Sequence, residues 1–423
     1  MIELLLLLVG ARVLRRKWWI LFLLGTAWFL LGLFFFLDAF TDDRIPPTWF
    51  AVPLLIDAAI ALAAAAQTAG TERALRIAKA VLFVAIALVL VESPWHVDMI
   101  VGILAGTFLL ADAAWRATSA WVVRFARWRL SLVGAGLELL WAIASFQPYP
   151  TNWAGETGAD VGLLLMVSAV GLGGLAIRLR QLPVGLPLSA VLASGWPREE
   201  DEAGPATAAT RLSRTPGPVT VHVWTPTGAL APVGVRRYVA AFDEKGSVST
   251  GHAALEAPPD IYISHYPATE ISLDQPLTRT LRATPDNDVA GLFQPSYEEE
   301  ARDWCPSTRQ VRLRGLDIAA MRAFWRAYRR DTTYNLTSRN CSSGVAKALD
   351  AGLEGMFEAR AGSPYFLARL LFSPELWVAG VMRRRAAAMA WTPGMVLDYS
   401  RALKHIIALP DRLRAGRRPE IRA

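Results

Sequence analysis

Six apolar runs in the first part of the chain limit its fold more than any other feature. They cover residues 18–37, 50–66, 77–91, 99–114, 130–146 and 161–177. Each run approaches the ~20 residues that an α-helix needs to cross a bilayer. One such run would also fit a helix in the core of a soluble protein. Six in succession, joined by short charged connectors, predict an all-α transmembrane bundle, and the apolar fraction of 53% agrees with this.

Basic residues predict the orientation of this bundle. They precede the first run and occupy the connectors between the second and third runs and between the fourth and fifth runs: Arg12, Arg15, Arg16, Lys17, Arg73, Arg76, Lys79, Arg116, Arg124, Arg127 and Arg129. The alternate connectors carry mostly Asp and Glu. Because basic connectors stay on the cytoplasmic side, we expect a multi-pass protein of the bacterial inner membrane whose N- and C-termini both face the cytoplasm.

The net charge of +7 bears on the partners of the chain. The basic residues lie between apolar runs and at the C-terminal end, where anionic lipid headgroups are the simpler partner. We therefore expect the lipid bilayer as partner and no nucleic acid. Three carboxylates, Asp57, Asp112 and Glu138, fall within or near the runs. Such groups can mark a path for protons or substrate, but we interpret them as carboxylates that pack helices together.

The amino-acid composition changes after the last apolar run, and these changes divide the chain into four predicted segments. Residues 1–180 form the predicted membrane domain, and residues 181–218 form a linker rich in Ala, Pro, Gly and acidic side chains. Residues 219–355 show short alternating segments between Pro and Gly turns, followed by helical periodicity, which predicts a soluble α+β domain. Residues 356–423 form a helical, basic C-terminal extension. It either packs on the α+β domain or lies on the inner leaflet.

The segment Asn340-Cys341-Ser342-Ser343-Gly344 is the strongest candidate for chemistry. Asn340 is a favourable N-cap, and small and apolar residues follow it at helical spacing. Cys341 therefore opens a helix, where unpaired N–H groups and the helix dipole favour a thiolate. The sequence predicts a cysteine nucleophile at this position.

A histidine upstream supplies the candidate base. His252 lies on a predicted strand, and a second predicted strand carries either His265 or Ser264 as the group that orients the imidazole. Strand parity favours Ser264, whereas a turn that absorbs one residue at Pro258-Pro259 favours His265. The candidate catalytic residues are Cys341, His252 and His265, with Ser264 as the alternative.

Simpler roles are expected for the other reactive residues. Cys305 lies in a polar loop, and two cysteines make neither a disulfide framework nor a zinc site, so both thiols should be free. His222 is interpreted as a surface histidine on a strand, and the run Glu298-Glu299-Glu300 as the solvated face of a helix. With histidines scattered through the chain and no glycine-rich phosphate loop, we expect no metal and no cofactor.

Two family resemblances rest on these segments. A Gly-His strand, the strand Tyr262-Ile263-Ser264-His265-Tyr266 and Asn340-Cys341 at a helix start resemble the circularly permuted papain-like hydrolases. This is the permuted NlpC/P60 superfamily, which includes lecithin:retinol acyltransferase-like enzymes. The resemblance implies a papain-like fold over residues 219–355, with His252 as base and Cys341 as nucleophile. The six short spans resemble the HdeD family of small bacterial membrane proteins.

The leading hypothesis is a membrane-tethered cytoplasmic cysteine hydrolase or acyltransferase that acts on an amide or acyl ester bond. The alternative is a non-catalytic sensing or binding module on a stress-related membrane protein. A membrane location favours a lipid acyl group or a membrane-proximal peptide as substrate over cell wall. A long apolar groove above Cys341, lined by residues of the extension such as Phe366, Leu370 and Trp377, would favour acyl chains, and a shallow polar cleft would favour peptides.

Overall fold

The chain folds into two compact units that are interleaved in sequence. The computed structural model describes residues 1–65, 70–92, 97–147, 153–183, 185–188, 192, 215–225, 241–242, 248–249, 251–269 and 277–415. The helical unit contains Arg16–Thr118 and Arg129–Gln181, and the α/β unit contains Met1–Arg15, Ser119–Trp128 and Leu182–Ala423.

Helices account for most of the described residues. In chain order they are α1 (Ile2–Val9), α2 (Ala11–Arg16), α3 (Trp18–Asp38), α4 (Ala51–Ala65), α5 (Gly70–Glu92), α6 (Val97–Val123), α7 (Trp128–Phe146), α8 (Glu156–Gln181), α9 (Leu277–Thr280), α10 (Tyr297–Asp303), α11 (Ile318–Tyr328), α12 (Cys341–Leu353), α13 (Pro364–Leu371), α14 (Pro374–Ala388) and α15 (Pro393–Ala415). Short 3-10 turns cover Pro47–Phe50, Pro285–Asn287 and Glu358–Arg360.

The strands all fall after residue 215. They are β1 (Pro216–Trp224), β2 (Ala241–Phe242), β3 (Val248–Ser249), β4 (His252–Ala257), β5 (Ile261–Ile263), β6 (His265–Pro267), β7 (Val289–Phe293), β8 (Arg309–Asp317) and β9 (Thr333–Tyr334). The described residues thus form an N-terminal helical region, a mixed α/β region with small sheets and a helical C-terminal region.

Five of the six apolar runs lie within helices, and the described part of the run 50–66 is almost wholly in α4 (Ala51–Ala65). By length and composition, four helices among the described residues can cross a membrane: Trp18–Asp38, Asp98–Val123, Trp128–Phe146 and Glu156–Gln181. A shorter apolar helix covers Thr48–Ala63. These four helices confirm the expectation that part of the chain is suited to a membrane.

Carboxylates within the helical unit pair with bases. Lys79 Nζ lies 2.8 Å from Asp57 Oδ2 between α4 and α5. Arg116 lies 3.0 Å from Asp112 and 3.2 Å from Glu138, which joins α6 to α7. Because a lone charge is costly in an apolar setting, pairing of this kind stabilises the helix contacts. Asp57 and Glu138 therefore join neighbouring helices, as expected from the sequence, whereas Asp112 pairs within α6.

A four-stranded antiparallel sheet organises the α/β unit. Its order is β5-β4-β1-β8, with β1 in the centre. β1 is rich in β-branched residues, and Val219, Val221 and Val223 are all buried. Helix α12 packs on β4, β5 and β8. A second sheet has the order β6-β7-β9.

Helix α1 belongs to the α/β unit, although the sequence pattern groups it with residues 1–180. Leu4, Leu7 and Leu8 are fully buried. The N–H of Gly355 donates to Leu7 O at 2.9 Å, and the N–H of Phe357 donates to Leu8 O at 2.8 Å. The apolar character of α1 is therefore used to fill the core of the α/β unit, next to the end of α12.

The C-terminal helices have one buried and one exposed face. Phe366 and Leu370 lie in the core, so they do not line an open groove as the sequence suggested. Exposed apolar residues follow the opposite side of α13 and α14: Tyr365, Trp377, Val378 and Val381. The two helices meet at 61° and together are apolar enough for a broken span or a re-entrant loop. The buried face of α13 and α14 therefore packs within the α/β unit. The exposed apolar face is the one available for contact with the inner leaflet.

Candidate active site

The nucleophile candidate lies at a fully capped helix start. Asn340 Oδ1 accepts from the N–H of Ser343 at 2.8 Å, and Ser343 Oγ accepts from the N–H of Asn340 at 2.9 Å. These two bonds form a reciprocal capping box, which is worth about 1 kcal/mol or more to a helix. Asn340 Nδ2 also donates to Leu336 O and Trp391 O. The predicted N-cap is confirmed, and it places Cys341 in the first turn of α12.

A buried arginine holds the loop that precedes Cys341. Arg339 is only 2% exposed. Its guanidinium donates to Thr333 O at 2.9 Å and to Tyr328 O at 2.6 Å, and it lies 3.9 Å from the centroid of the Tyr328 ring. Asp331 Oδ2, at 3.4 Å, balances its charge. Because a planar guanidinium has several fixed donors, one side chain fixes several carbonyls of the loop.

Cys341 opens helix α12, which packs on β4, the strand that begins at His252. The residue is 8% exposed, and its Sγ receives a hydrogen bond from the backbone N–H of Ala253. Ser342 Oγ is 3.6 Å from the sulfur. Burial raises the pKa of the thiol, while the donors from Ser342 and Ala253 lower it only in part. Burial therefore outweighs the stabilisation of a thiolate that the helix start led us to expect, and the resting thiol is protonated.

His252 is held through one ring nitrogen. Its Nε2 lies 2.8 Å from Ser264 Oγ and 3.4 Å from Glu300 Oε1, and its ring stacks on Tyr266 at 4.0 Å. Among the described residues, Nδ1 has no hydrogen-bond partner. With the proton on Nε2, where a carboxylate and a hydroxyl can accept it, Nδ1 carries the free lone pair. Burial, and to a lesser degree His265, lowers the pKa of His252 to about 3, so the ring is neutral at rest.

Glu300 is the residue that sequence reasoning missed. It was interpreted as part of a solvated helix face, yet it is 2% exposed. Its carboxylate accepts from the hydroxyl groups of Tyr262 and Tyr266, the latter at 2.7 Å. The carboxylate raises the pKa of both tyrosines, after the larger effect of their burial. A signal was present, because Tyr297 and Glu300 are three residues apart and so share one face of α10.

Ser264 and His265, the two candidates for the group that orients His252, have different neighbours. Ser264 lies between β5 and β6 and meets His252, as strand parity favoured. His265 begins β6 and pairs with Phe293 of the second sheet. Its Nδ1 lies 3.2 Å from Tyr328 Oη, and its Nε2 lies 3.3 Å from Thr332 O. The chain changes sheets at Ser264, so Ser264 meets Nε2 of His252 while His265 meets Tyr328 and Thr332.

His222 forms a second buried polar cluster on the central strand. It is 2% exposed, so its interpretation as a surface histidine is wrong. Nδ1 lies 3.1 Å from Ser307 Oγ, Nε2 lies 3.2 Å from Glu256, and the ring stacks on Tyr297 at 3.9 Å. Burial is also the main reason why the pKa of His222 is lowered. Cys305 lies nearby and is free, as is Cys341, which confirms the expected state of both thiols.

The described residues include the groups that acyl transfer needs. A thiol opens the helix that packs on the strand of His252, and a hydroxyl and a carboxylate lie at Nε2 of that imidazole. The backbone N–H of Cys341 has no acceptor among the described residues, so it is available to a developing oxyanion.

One comparison with known families concerns this part of the chain. The family model described as the IcsB middle domain matches residues 282–414. No curated protein and no solved structure matches the chain. The matched segment includes Glu300 and Cys341 and begins after His252. The chain is thus similar to the IcsB middle domain over the segment that carries the thiol and the carboxylate.

Proposed function

We propose that this protein is a membrane-tethered cytoplasmic cysteine hydrolase or acyltransferase, with Cys341 as nucleophile and His252 as base. The observation that carries the proposal is the position of the Cys341 sulfur at the N–H of Ala253, the residue that follows His252 on β4, together with an imidazole of His252 that is held through Nε2. This arrangement leaves one imidazole nitrogen to receive the thiol proton. A histidine that only stabilises the fold does not require a thiol at its strand.

In the proposed reaction, His252 Nδ1 takes the proton of Cys341 as the sulfur attacks the carbonyl carbon of an amide or ester. The carbonyl oxygen becomes an oxyanion, which the N–H of Cys341 stabilises. Collapse of this intermediate breaks the bond to the amine or alcohol, which leaves with the proton from His252. The acyl group remains on sulfur as a thioester, and water or a second nucleophile then accepts it.

Glu300 and Ser264 position the base in this scheme. While the proton moves, His252 becomes an imidazolium, and the Glu300 carboxylate at 3.4 Å stabilises that charge. In the resting state this help is small, because both groups are buried and the imidazole is neutral. The carboxylate therefore acts mainly as charge develops, which is when it lowers the barrier.

Two features support the family and topology that we propose. Strand histidine, second strand and capped cysteine helix follow one another in the order of the permuted NlpC/P60 superfamily. The helices α3 to α8 support an HdeD-like bundle of six spans. Four of these helices are long and apolar enough to cross a membrane. Basic connectors support a cytoplasmic α/β unit.

A membrane-proximal substrate is supported by the C-terminal helices. Trp377, Val378 and Val381 expose apolar side chains on α14, where Arg384 and Arg385 follow. An apolar face with adjacent arginines is suited to the inner leaflet. We propose a lipid acyl group or a membrane-proximal peptide as substrate. Of the groove residues expected from the sequence, only Trp377 is exposed enough to contact it.

The test is labelling of the full chain in membranes with a thiol-directed, acyl-type activity probe. Cys341→Ser and His252→Ala should each abolish labelling while expression and melting temperature stay close to wild type. Cys305→Ser is the matched control and should label normally. Unchanged labelling in both site variants would exclude Cys341 and His252 as the catalytic pair.

Burial favours a second candidate, a non-catalytic sensing or binding module. The thiol is 8% exposed and has a raised pKa, and a packed thiol of this kind needs no chemistry. The same experiment separates the two functions. A wild-type chain that is folded, membrane-inserted and unreactive toward acyl probes would favour the module.

A further inference from the structure

The connector between α6 and α7 lies at a membrane surface if its flanking helices span the bilayer. One candidate span ends at Val123 and the next begins at Trp128. The four residues between them are Arg124, Phe125, Ala126 and Arg127. So short a connector cannot leave the headgroup region, and its two arginines are held there.

Arg124 lies between two tryptophans. Its guanidinium carbon is 5.6 Å from the ring of Trp121 and 5.4 Å from the ring of Trp128. The two indoles meet edge to face at 6.2 Å, and Trp121 is 60% exposed. Tryptophan is enriched at the level of lipid headgroups, where one side of the ring is apolar and the other is wet. The cluster therefore has the composition of an interfacial site.

The charge of Arg124 is not balanced within the part of the chain that the structure describes. No carboxylate there pairs with Arg124, and its Nε is buried without a hydrogen-bond partner. The Nε donor of Arg124 therefore lacks an acceptor among the described residues. A phosphate supplies such acceptors in matching geometry.

A second arginine is brought to the same place by the backbone. The N–H of Ala283 donates to Val123 O at 2.7 Å, which sets Arg282 beside the start of the connector. Arg282 Nε is also buried without a hydrogen-bond partner. Asn287 Nδ2 donates to the carbonyls of Arg279 and Arg282, so the turn that carries them is fixed.

Acidic groups near this turn are few. Asp286 and Asp288 follow it, and Asp288 Oδ1 already accepts from Asn335 Nδ2 at 2.9 Å. The connector itself contains no carboxylate. The local charge is therefore positive, which favours an anion.

The connector also holds its arginines in a strained backbone. Arg124 has φ 55° and Arg127 has φ 65°. Both angles lie in the left-handed region, where glycine is usual and a residue with a Cβ is uncommon. Strain of this kind is often found where a side chain has a ligand to bind.

We propose that Trp121, Arg124, Trp128 and Arg282 form a binding site for the phosphate of an anionic phospholipid headgroup. The guanidinium groups bind the phosphate oxygens, and the indole rings contact the glycerol and upper acyl region. Free phosphate offers the same oxygens but nothing for the indoles to contact. The site is independent of the chemistry at Cys341, because it rests on other residues.

The test is native mass spectrometry of the detergent-solubilised full chain titrated with phosphatidylglycerol. Wild type should retain the lipid, and Arg124→Gly and Arg282→Gln should each weaken retention about fivefold, as expected for loss of one arginine near an anionic lipid. Arg124→Gly is informative because glycine accepts φ 55° without strain, so the fold should be preserved or stabilised. Arg314→Gln is the matched control, since Arg314 is exposed on β8.

Three results would overturn the proposal. The first is unchanged lipid retention in both Arg124→Gly and Arg282→Gln. The second is an equal loss in Arg314→Gln, which would show a general charge effect. The third is displacement of the lipid by inorganic phosphate at equal concentration, which would show an anion site without lipid selectivity. Retention that falls only in the two site variants, and is not displaced by phosphate, supports it.

Discussion

Two buried histidines on adjacent strands of one sheet have nearly the same surroundings. His222 of β1 and His252 of β4 each meet a serine and a glutamate, and each stacks on a tyrosine at 3.9 and 4.0 Å. They differ in how the ring nitrogens are used. In His222 both nitrogens are paired, one with Ser307 and one with Glu256. In His252 the serine and the glutamate share Nε2.

The difference separates a histidine that stabilises a fold from one that can act as a base. A ring with two paired nitrogens has no lone pair to offer without breaking a hydrogen bond. A ring held at one nitrogen is oriented and keeps the other available. The second arrangement occurs at His252, one residue before Ala253, whose N–H faces the Cys341 sulfur.

The largest expected effect contrasts the two histidines directly. His252→Ala should slow reaction of Cys341 with an acyl-type probe by roughly 10²-fold or more, because the general base is lost. His222→Ala should lower the melting temperature and leave the probe rate of the folded fraction within a few-fold of wild type. Probe kinetics on folded full chain measure both. Equal losses of probe rate in the two variants would mean that the pairing of the ring nitrogens does not separate a general base from a structural histidine.

The next effect concerns the carboxylate beside His252. Glu300→Gln keeps the shape of the side chain and removes its charge, so the imidazolium that forms during reaction loses its partner. A hydrogen bond to a charged group is worth about 1.5–3 kcal/mol, so a loss of roughly 10- to 100-fold in probe rate is expected. Glu299→Gln, an exposed change on the same helix, is the control. A rate loss in Glu299→Gln of the same size would contradict the role of Glu300.

Acid should destabilise the fold through both histidines alike. The pKa of His252 falls from its ordinary 6.5 to about 3, and that of His222 is lowered too. Between these pH values the unfolded chain binds protons that the folded chain does not, so stability decreases as pH falls below 6.5. The slope is at most about 1.4 kcal/mol per pH unit for each histidine.

The measurement is the melting temperature of the full chain in detergent from pH 7 to pH 4. His252→Ala and His222→Ala should each make the decline shallower. If neither variant changes the slope, the acid sensitivity comes from other groups. If only one variant changes the slope, the two buried imidazole rings do not contribute equally to the acid sensitivity.

The smallest effect contrasts the two serines. Ser264→Ala removes a neutral hydrogen bond at 2.8 Å from His252, and the probe rate should fall about two- to tenfold. Ser307→Ala removes the corresponding bond of His222 and should leave the rate unchanged. A larger loss in Ser264→Ala than in Glu300→Gln would make the hydroxyl, and not the carboxylate, the main orienting group.

Local sequence signals predicted much of this site and failed at particular residues. Asn340 as N-cap and Cys341 at the helix start follow from residues adjacent in sequence, so they were predictable. Glu300 was not, because its burial depends on Tyr262 and Tyr266 of a distant segment. The same limit applies to Arg339, whose partners are loop carbonyls.

Fold prediction shows the same division. Helices α3 to α8 follow from apolar runs, and β1 and β4 from alternating patterns. The position of α1 depends on backbone hydrogen bonds to Gly355 and Phe357, far along the chain. No periodicity within residues 1–10 could indicate such a partner.

The α/β unit gathers three stretches of chain, Met1–Arg15, Ser119–Trp128 and Leu182–Ala423, and this limits how the chain can thread a bilayer. Stretches that share one folded core lie on one side of a membrane. If these stretches lie on one side of a bilayer, the chain crosses it an even number of times between residues 16 and 118, and again between residues 129 and 181. The four helices that are long and apolar enough to cross, and the six apolar runs, both satisfy this parity.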